Sequence, residues 1–114
     1  MIRSFADTVA EEILLEYPLT AMNLRSNPAA GLIRDELAER GISAAQAARA
    51  MNIPRSRLSD IFAGRKGVSA DTALRVERYL AVSASLLLRL QADFDLSKAK
   101  REKGKQVARE VVPC

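Results

Sequence analysis

From residue 28 onward, apolar positions recur at intervals of three and four, the spacing of helices that bury one face. No stretch alternates apolar and polar residues for long enough to make a strand, so the pattern predicts an all-α domain. Leu32, Ile33 and Leu37 share one face of a helix that Pro28 opens in its first turn and Gly41 follows, running to about Arg40. Ser43 opens the next helix, Ala44–Met51, and Gln46 three residues on completes a Ser-x-x-Gln capping box. Asn52, which tolerates the left-handed conformation, ends it. Ile53-Pro54 leads into a third helix, Arg55–Ala63, terminated by Gly64. Ser69 caps a fourth, where Asp71 complements the positive end of the helix dipole and Ala73, Leu74, Val76, Tyr79 and Leu80 form a broad apolar face. Ser83 caps a fifth that the apolar pattern carries to about Phe94. Within it Leu87 and Leu90 are expected in the core, and one leucine of the Leu86–Leu90 group against a partner.

The flanks read differently. Residues Ala6–Tyr17 place Val9, Ile13 and Tyr17 on one stripe of a short helix that Pro18 stops, and residues 18–28 read as a linker. After Phe94 the apolar stripe gives way to SKAKREKGKQVAREVVPC, which is expected to be mobile, with Gln106–Val112 able to coil on a partner. The organisation expected is therefore an N-terminal extension (1–26), a helical domain (27–96) and a basic, flexible tail (97–114). Neither Ile13-Leu14-Leu15 nor Leu86-Leu87-Leu88 is long enough for a secretory h-region or a membrane span, so a cytoplasmic protein without membrane contact is expected.

Composition narrows the chemistry. The chain holds 114 residues and no histidine, which removes imidazole metal sites and histidine-dependent nucleophilic catalysis. Its single cysteine, Cys114, forms no intrachain disulfide. No catalytic residue, metal or cofactor is expected. The net charge of +4 is unevenly laid out. Residues 1–48 carry four basic and seven acidic side chains; residues 49–66 carry Arg49, Arg55, Arg57, Arg65 and Lys66 against Asp60 alone. Residues 67–97 hold three basic and four acidic groups, and the segment from Lys98 holds six basic and two acidic. Two positive islands thus stand on a neutral to acidic background.

The first island coincides with the most informative stretch, Ser43–Gly64. Two short helices joined by a tight turn at Asn52, Ile53 and Pro54 meet the requirement of a helix-turn-helix. Ala48 permits close helix approach, while Ile53, Leu58, Ile61 and Phe62 are spaced to hold the second helix on the core. Arg55, Ser56, Arg57, Ser59 and Asp60 are left on or near the outward face, where the first turn of such a helix meets base edges in the major groove.

The segments GISAAQAARAMNIPRSRLSDIFAGRKGVSADTALRVERYL and SLLLRLQADFDL resemble the HigA-type antitoxins of the XRE (Cro/cI-like) helix-turn-helix family. The run PRSRLSDIFAGRKGVSADTALR is more specific than a generic helix-turn-helix. The resemblance implies a five-helix, lambda-repressor-like domain, usually a homodimer, that binds double-stranded operator DNA, represses its own operon and neutralises a HigB/RelE-like ribonuclease toxin. Two departures stand out. Ala44 occupies the position where the family places a phosphate-contacting glutamine, and Asn27-Pro28 replaces the usual His-Pro-Gly entry. The stretch before Met22 lies outside the familiar pattern, and its opening MIRSFAD resembles the start of the RelE-type toxin.

The DNA-contacting set expected is Arg55, Ser56, Arg57, Ser59, Arg65, Lys66 and Ser43. Arginine bonds guanine in bidentate fashion, so Arg55 and Arg57 are the base readers of choice. Arg65 and Lys66, after the helix, suit phosphates. Asp60 would repel phosphate and is expected to pair with Arg57 or Arg65. A regulator of the wider XRE family without a toxin partner, or a helical adaptor that does not use DNA, remains the alternative. The adaptor would show no salt dependence in its binding.

Overall fold

A computed structural model describes residues 26–114. They form five α-helices, α1 (Pro28–Glu39), α2 (Ala44–Met51), α3 (Arg55–Phe62), α4 (Ala70–Leu80) and α5 (Ala84–Glu110), with no strand among the described residues. The expected helix at Ala6–Tyr17, the linker that follows it and the toxin-like opening lie outside the described residues, apart from the linker's last few positions.

Four of the five helices begin where a short polar side chain accepts a bond from an otherwise unpaired backbone amide; α3, which follows Pro54, has no side-chain cap. Asn27 accepts from Ala29 N at 2.9 Å, with Pro28 in the first turn. Ser43 and Gln46 form the full reciprocal box, Oγ accepting from Gln46 N at 3.1 Å and Oε1 from Ser43 N at 2.9 Å. Ser69 accepts from Thr72 N, and Ser83 from Leu86 N. At α5 a second cap arrives from outside the helix: Glu77 Oε2 accepts from Ala84 N at 2.7 Å.

Helices α2 and α3 pack on each other, α1 touches α3 and α5, and α4 lies against α2 and α5. The core between them is aliphatic. Ile33, Leu58, Ile61, Val76, Leu80 and Leu87 are at most 1% exposed, each contributing about 1.5–3 kcal/mol through removal of its side chain from water. Ala47 and Ala48 are buried too, presenting methyl groups where longer side chains would hold the helices apart.

Three expectations need correction. Leu74 does not join the apolar face of α4; it is 62% exposed, because the covered face runs through Thr72, Ala73, Val76 and Leu80. Leu87 is core, but Leu86 and Leu90 are both half-buried and none of the three stands fully exposed. The fifth helix does not stop near Phe94; it continues unbroken to Glu110, so the basic tail begins as helix. Ala, Lys, Arg, Glu and Gln are good helix formers, Gly104 costs only about 1 kcal/mol, and no proline intervenes before Pro113. A helix ends where its backbone is stopped, not where its apolar stripe fades. None of the described helices is long and apolar enough to cross a membrane.

Candidate nucleic-acid interface

The turn between α2 and α3 is set by one left-handed residue. Asn52 takes φ 54°, ψ 49°. That conformation lets Asn52 N bond Arg49 O at 3.2 Å and Ile53 N bond Ala48 O at 3.0 Å, the paired closure of a Schellman motif. Ile53 is thereby turned into the core, and Pro54, extended, starts α3 at once. The far end of α3 closes the same way: Gly64 at φ +80° lets Arg65 N reach Asp60 O and Gly64 N reach Ile61 O.

Between those two closures, Leu58 and Ile61 point inward, fully buried, and Phe62 is half-buried. Arg55, Ser56 and Ser59 are exposed, and Arg57 is half-buried. Arg55 and Ser59 are one turn apart and so share a face. Arg65 and Lys66 follow in the exposed loop. Both meet Asp60, Arg65 Nε at 2.8 Å from Oδ1 and Lys66 Nζ at 3.8 Å from Oδ2. The Arg65 hydrogen bond, helped by the two positive charges, holds the Asp60 carboxyl below the usual carboxylate range against the opposing effect of desolvation. Asp60 therefore chooses Arg65, one of the two partners expected for it, and its negative charge is masked locally. Arg57 turns the other way and meets Asp71 Oδ2 of α4 at 3.6 Å. Ser43 is exposed at the start of α2, with its hydroxyl accepting the Gln46 amide.

Several supporting residues escaped the sequence reading. Asp71 also receives Arg75 Nε at 3.0 Å, and Arg75 Nη1 donates to Met51 O at the end of α2 at 3.1 Å. One acid on α4 thus joins Arg57 of α3 to an arginine that braces α2. Only the Asp71–Arg75 pair, one helical turn apart, is visible in the sequence. Arg34 Nη2 donates to Phe62 O at 2.8 Å and lies over the Phe62 ring at 5.3 Å, closing the end of α3. Gln91 of α5 anchors the trailing loop: its Oε1 accepts from Val68 N at 2.7 Å and from Asn27 Nδ2 at 2.6 Å, while Nε2 donates to Asp95 at 2.9 Å. Gly67 makes room for it. A Cβ there would lie 2.7 Å from Gln91 Nε2 and 2.9 Å from Cδ.

The arrangement is a rigid helix-turn-helix that presents one polar, arginine-bearing turn and one basic loop to solvent. Comparison with known proteins agrees. Residues 33–87 match the model of the helix-turn-helix family. A solved addiction module antidote protein of a HigA family from Coxiella burnetii is 30% identical, with a TM-score of 0.69, over 79% of this chain and 98% of that one. The Pseudomonas aeruginosa antitoxin HigA, solved with the higBA promoter, is 37% identical, with a TM-score of 0.69, over 75% of this chain and 94% of that one. Virulence-associated protein I of Dichelobacter nodosus is 37% identical over 73 residues, which is 63% of this chain and 68% of that protein. Fold, turn chemistry and relatives converge: the chain belongs to the XRE helix-turn-helix family of HigA-type antitoxins, a family of non-enzymatic DNA-binding proteins.

Proposed function

We propose that this protein is a sequence-specific autorepressor that reads its operator with α3 and serves as the antitoxin of a HigB/RelE-like toxin. The observation that carries the reading is the polar first turn of α3, with Arg55, Ser56 and Ser59 exposed, held between two Schellman closures and anchored by the buried Leu58 and Ile61. Its fold relative from Pseudomonas aeruginosa, an antitoxin HigA solved with the higBA promoter, supports a DNA-binding role. Arg55, without an ion-pair partner among the described residues, is the principal base reader. Arg57, steered by Asp71, is the second. Ser56 and Ser59 are small enough to let the helix approach base edges, while Arg65, Lys66 and Ser43 contact phosphates. Two copies would present their α3 turns to half-sites about one DNA turn (~34–36 Å) apart on a palindromic operator.

Titration against the DNA upstream of its own reading frame tests the DNA half of the proposal. Replacing both Arg55 and Arg57 by alanine is expected to remove at least about 2 kcal/mol of specific binding. Unchanged affinity and sequence preference would refute the assignment. Co-expression with a neighbouring RelE-like reading frame tests the toxin half: a stable complex and relief of growth arrest are expected, and failure of both would favour a regulator without a toxin.

A further inference from the structure

The basic arm at the end of α5 is not apart from the recognition surface. Leu87, Gln91, Phe94, Lys98, Arg101 and Lys105 follow one another at steps of four, three, four, three and four, so they form one stripe along the helix. The proximal part of this stripe faces the body: Leu87 is fully buried, and Gln91 bonds Val68 in the loop that follows α3. The distal part of the same stripe therefore runs on beside that loop. A cleft of about 340 Å³ marks where they meet, lined by Arg65 and Lys66 from the loop and by Asp95, Lys98 and Arg101 from α5. Lys98 and Lys105 are exposed and unpaired among the described residues.

We infer that the distal stripe of α5 is a second DNA-contacting element, which grips the phosphates beside the half-site and extends the footprint of the α3–α4 loop. This rests on the DNA-binding reading given above. Charge and continuity both favour a nucleic-acid backbone as the occupant. Past Phe94 the stripe carries no large apolar side chain, whereas a helix that docks in a protein groove needs apolar anchors at these intervals. The exposed apolar residues within the helical arm, Leu96 and Val107, fall on its opposite side, while Val111 and Val112 lie past the end of the helix. From Lys98 to Lys105 the helix rises about 10 Å, against one phosphate per ~3.4 Å of duplex axis on each strand. Two lysines so spaced can meet separate phosphates of one strand. Such contacts carry no sequence information and add affinity through release of counterions.

The test uses the full-length protein and a double substitution, Lys98→Ala with Lys105→Ala. Affinity is measured across salt concentrations for an operator duplex and a scrambled duplex of equal length, with helicity and melting as the folding control. The expected result is about a tenfold loss of affinity at low salt, equal on both duplexes, and a log–log salt slope shallower by roughly two, about one per contact. Unchanged slope and affinity on both duplexes would overturn the inference. So would an intact DNA profile accompanied by weakened capture of the toxin, which would make the arm a protein-binding element. Because the predicted loss is the same on scrambled DNA, it is read even if the wild type shows no operator preference, an outcome that would count against operator recognition alone. Lys98→Arg with Lys105→Arg should restore the slope.

Discussion

The arginines of the acidic body and those of the recognition surface share a side chain and differ in everything around it. Arg34, Arg40 and Arg75 each donate to a carbonyl at the end of a helix other than their own: Phe62 O at 2.8 Å, Leu80 O at 2.7 Å and Met51 O at 3.1 Å. The three acceptors are the last residues of α3, α4 and α2, the negative ends of those helices, where a cation is worth most. Arg55 on α3 reaches no such partner among the described residues, and Arg65 meets the side chain of Asp60 in α3, five residues back, rather than a helix-end carbonyl. A net-charge sum treats all of these alike. The structure separates charges that hold helices together from charges left available for a polyanion, and each class has its own signature when removed.

The largest effect is expected inside the body, at the polar contact that fixes the recognition loop. Gln91→Leu leaves the Val68 N–H and the Asn27 amide without their acceptor, at about 1–3 kcal/mol for each buried group. A fall in melting temperature of about 10 °C or more should follow, read by calorimetry. A melt within a degree or two of the wild type would show that the loop is held by something else. A smaller loss is expected at the body arginines. Arg34→Ala removes one charge-assisted bond and a ring contact at a partly solvated site, for about 1 kcal/mol. DNA affinity measured well below the melt should be unchanged. If Arg34→Ala instead weakened DNA binding while leaving the melt alone, the division between the two classes would fail.

The smallest effect concerns pH. The Asp60 carboxyl is held below its usual range by the Arg65 hydrogen bond, so its contribution is complete above the ordinary carboxylate pKa of about 4 and fades as pH falls through the depressed folded-state value. Carbon-13 NMR of the carboxyl should show a midpoint below the ordinary aspartate value of about 3.9, and Arg65→Ala should raise it. A midpoint that ignores the Arg65 substitution would remove Arg65 as the cause.

Local signals accounted for much of this molecule. The capping box at Ser43 and Gln46, the left-handed Asn52, and the starts of α1 to α5 all depend on residues within a few positions of one another, and each stands where the sequence places it. What the sequence concealed is long-range. Nothing near Arg34 distinguishes a solvated arginine from one that caps a helix 28 residues away. Gln91 reads as a surface residue until its partners 23 and 64 positions distant are known. Ala81 takes φ 57°, a conformation costing non-glycine residues about 1–2 kcal/mol, and no turn residue announces it. The length of α5 was hidden for another reason: the apolar stripe marks where a helix is packed, and propensity carries the backbone beyond it. At the interface, the residue types and their turn were legible, but the pairing of Arg57 with Asp71 on α4 required the tertiary fold.

The central claim is that the exposed turn of α3 reads base sequence while the body arginines do not. It is tested most directly by the ratio of affinities for operator and scrambled duplexes, at one salt concentration, for the wild type and for Arg55→Ala. The wild-type ratio should be of the order of 10³ or more, and Arg55→Ala should lower it about tenfold or further with no shift in the melt. A ratio that survives Arg55→Ala intact would contradict the account.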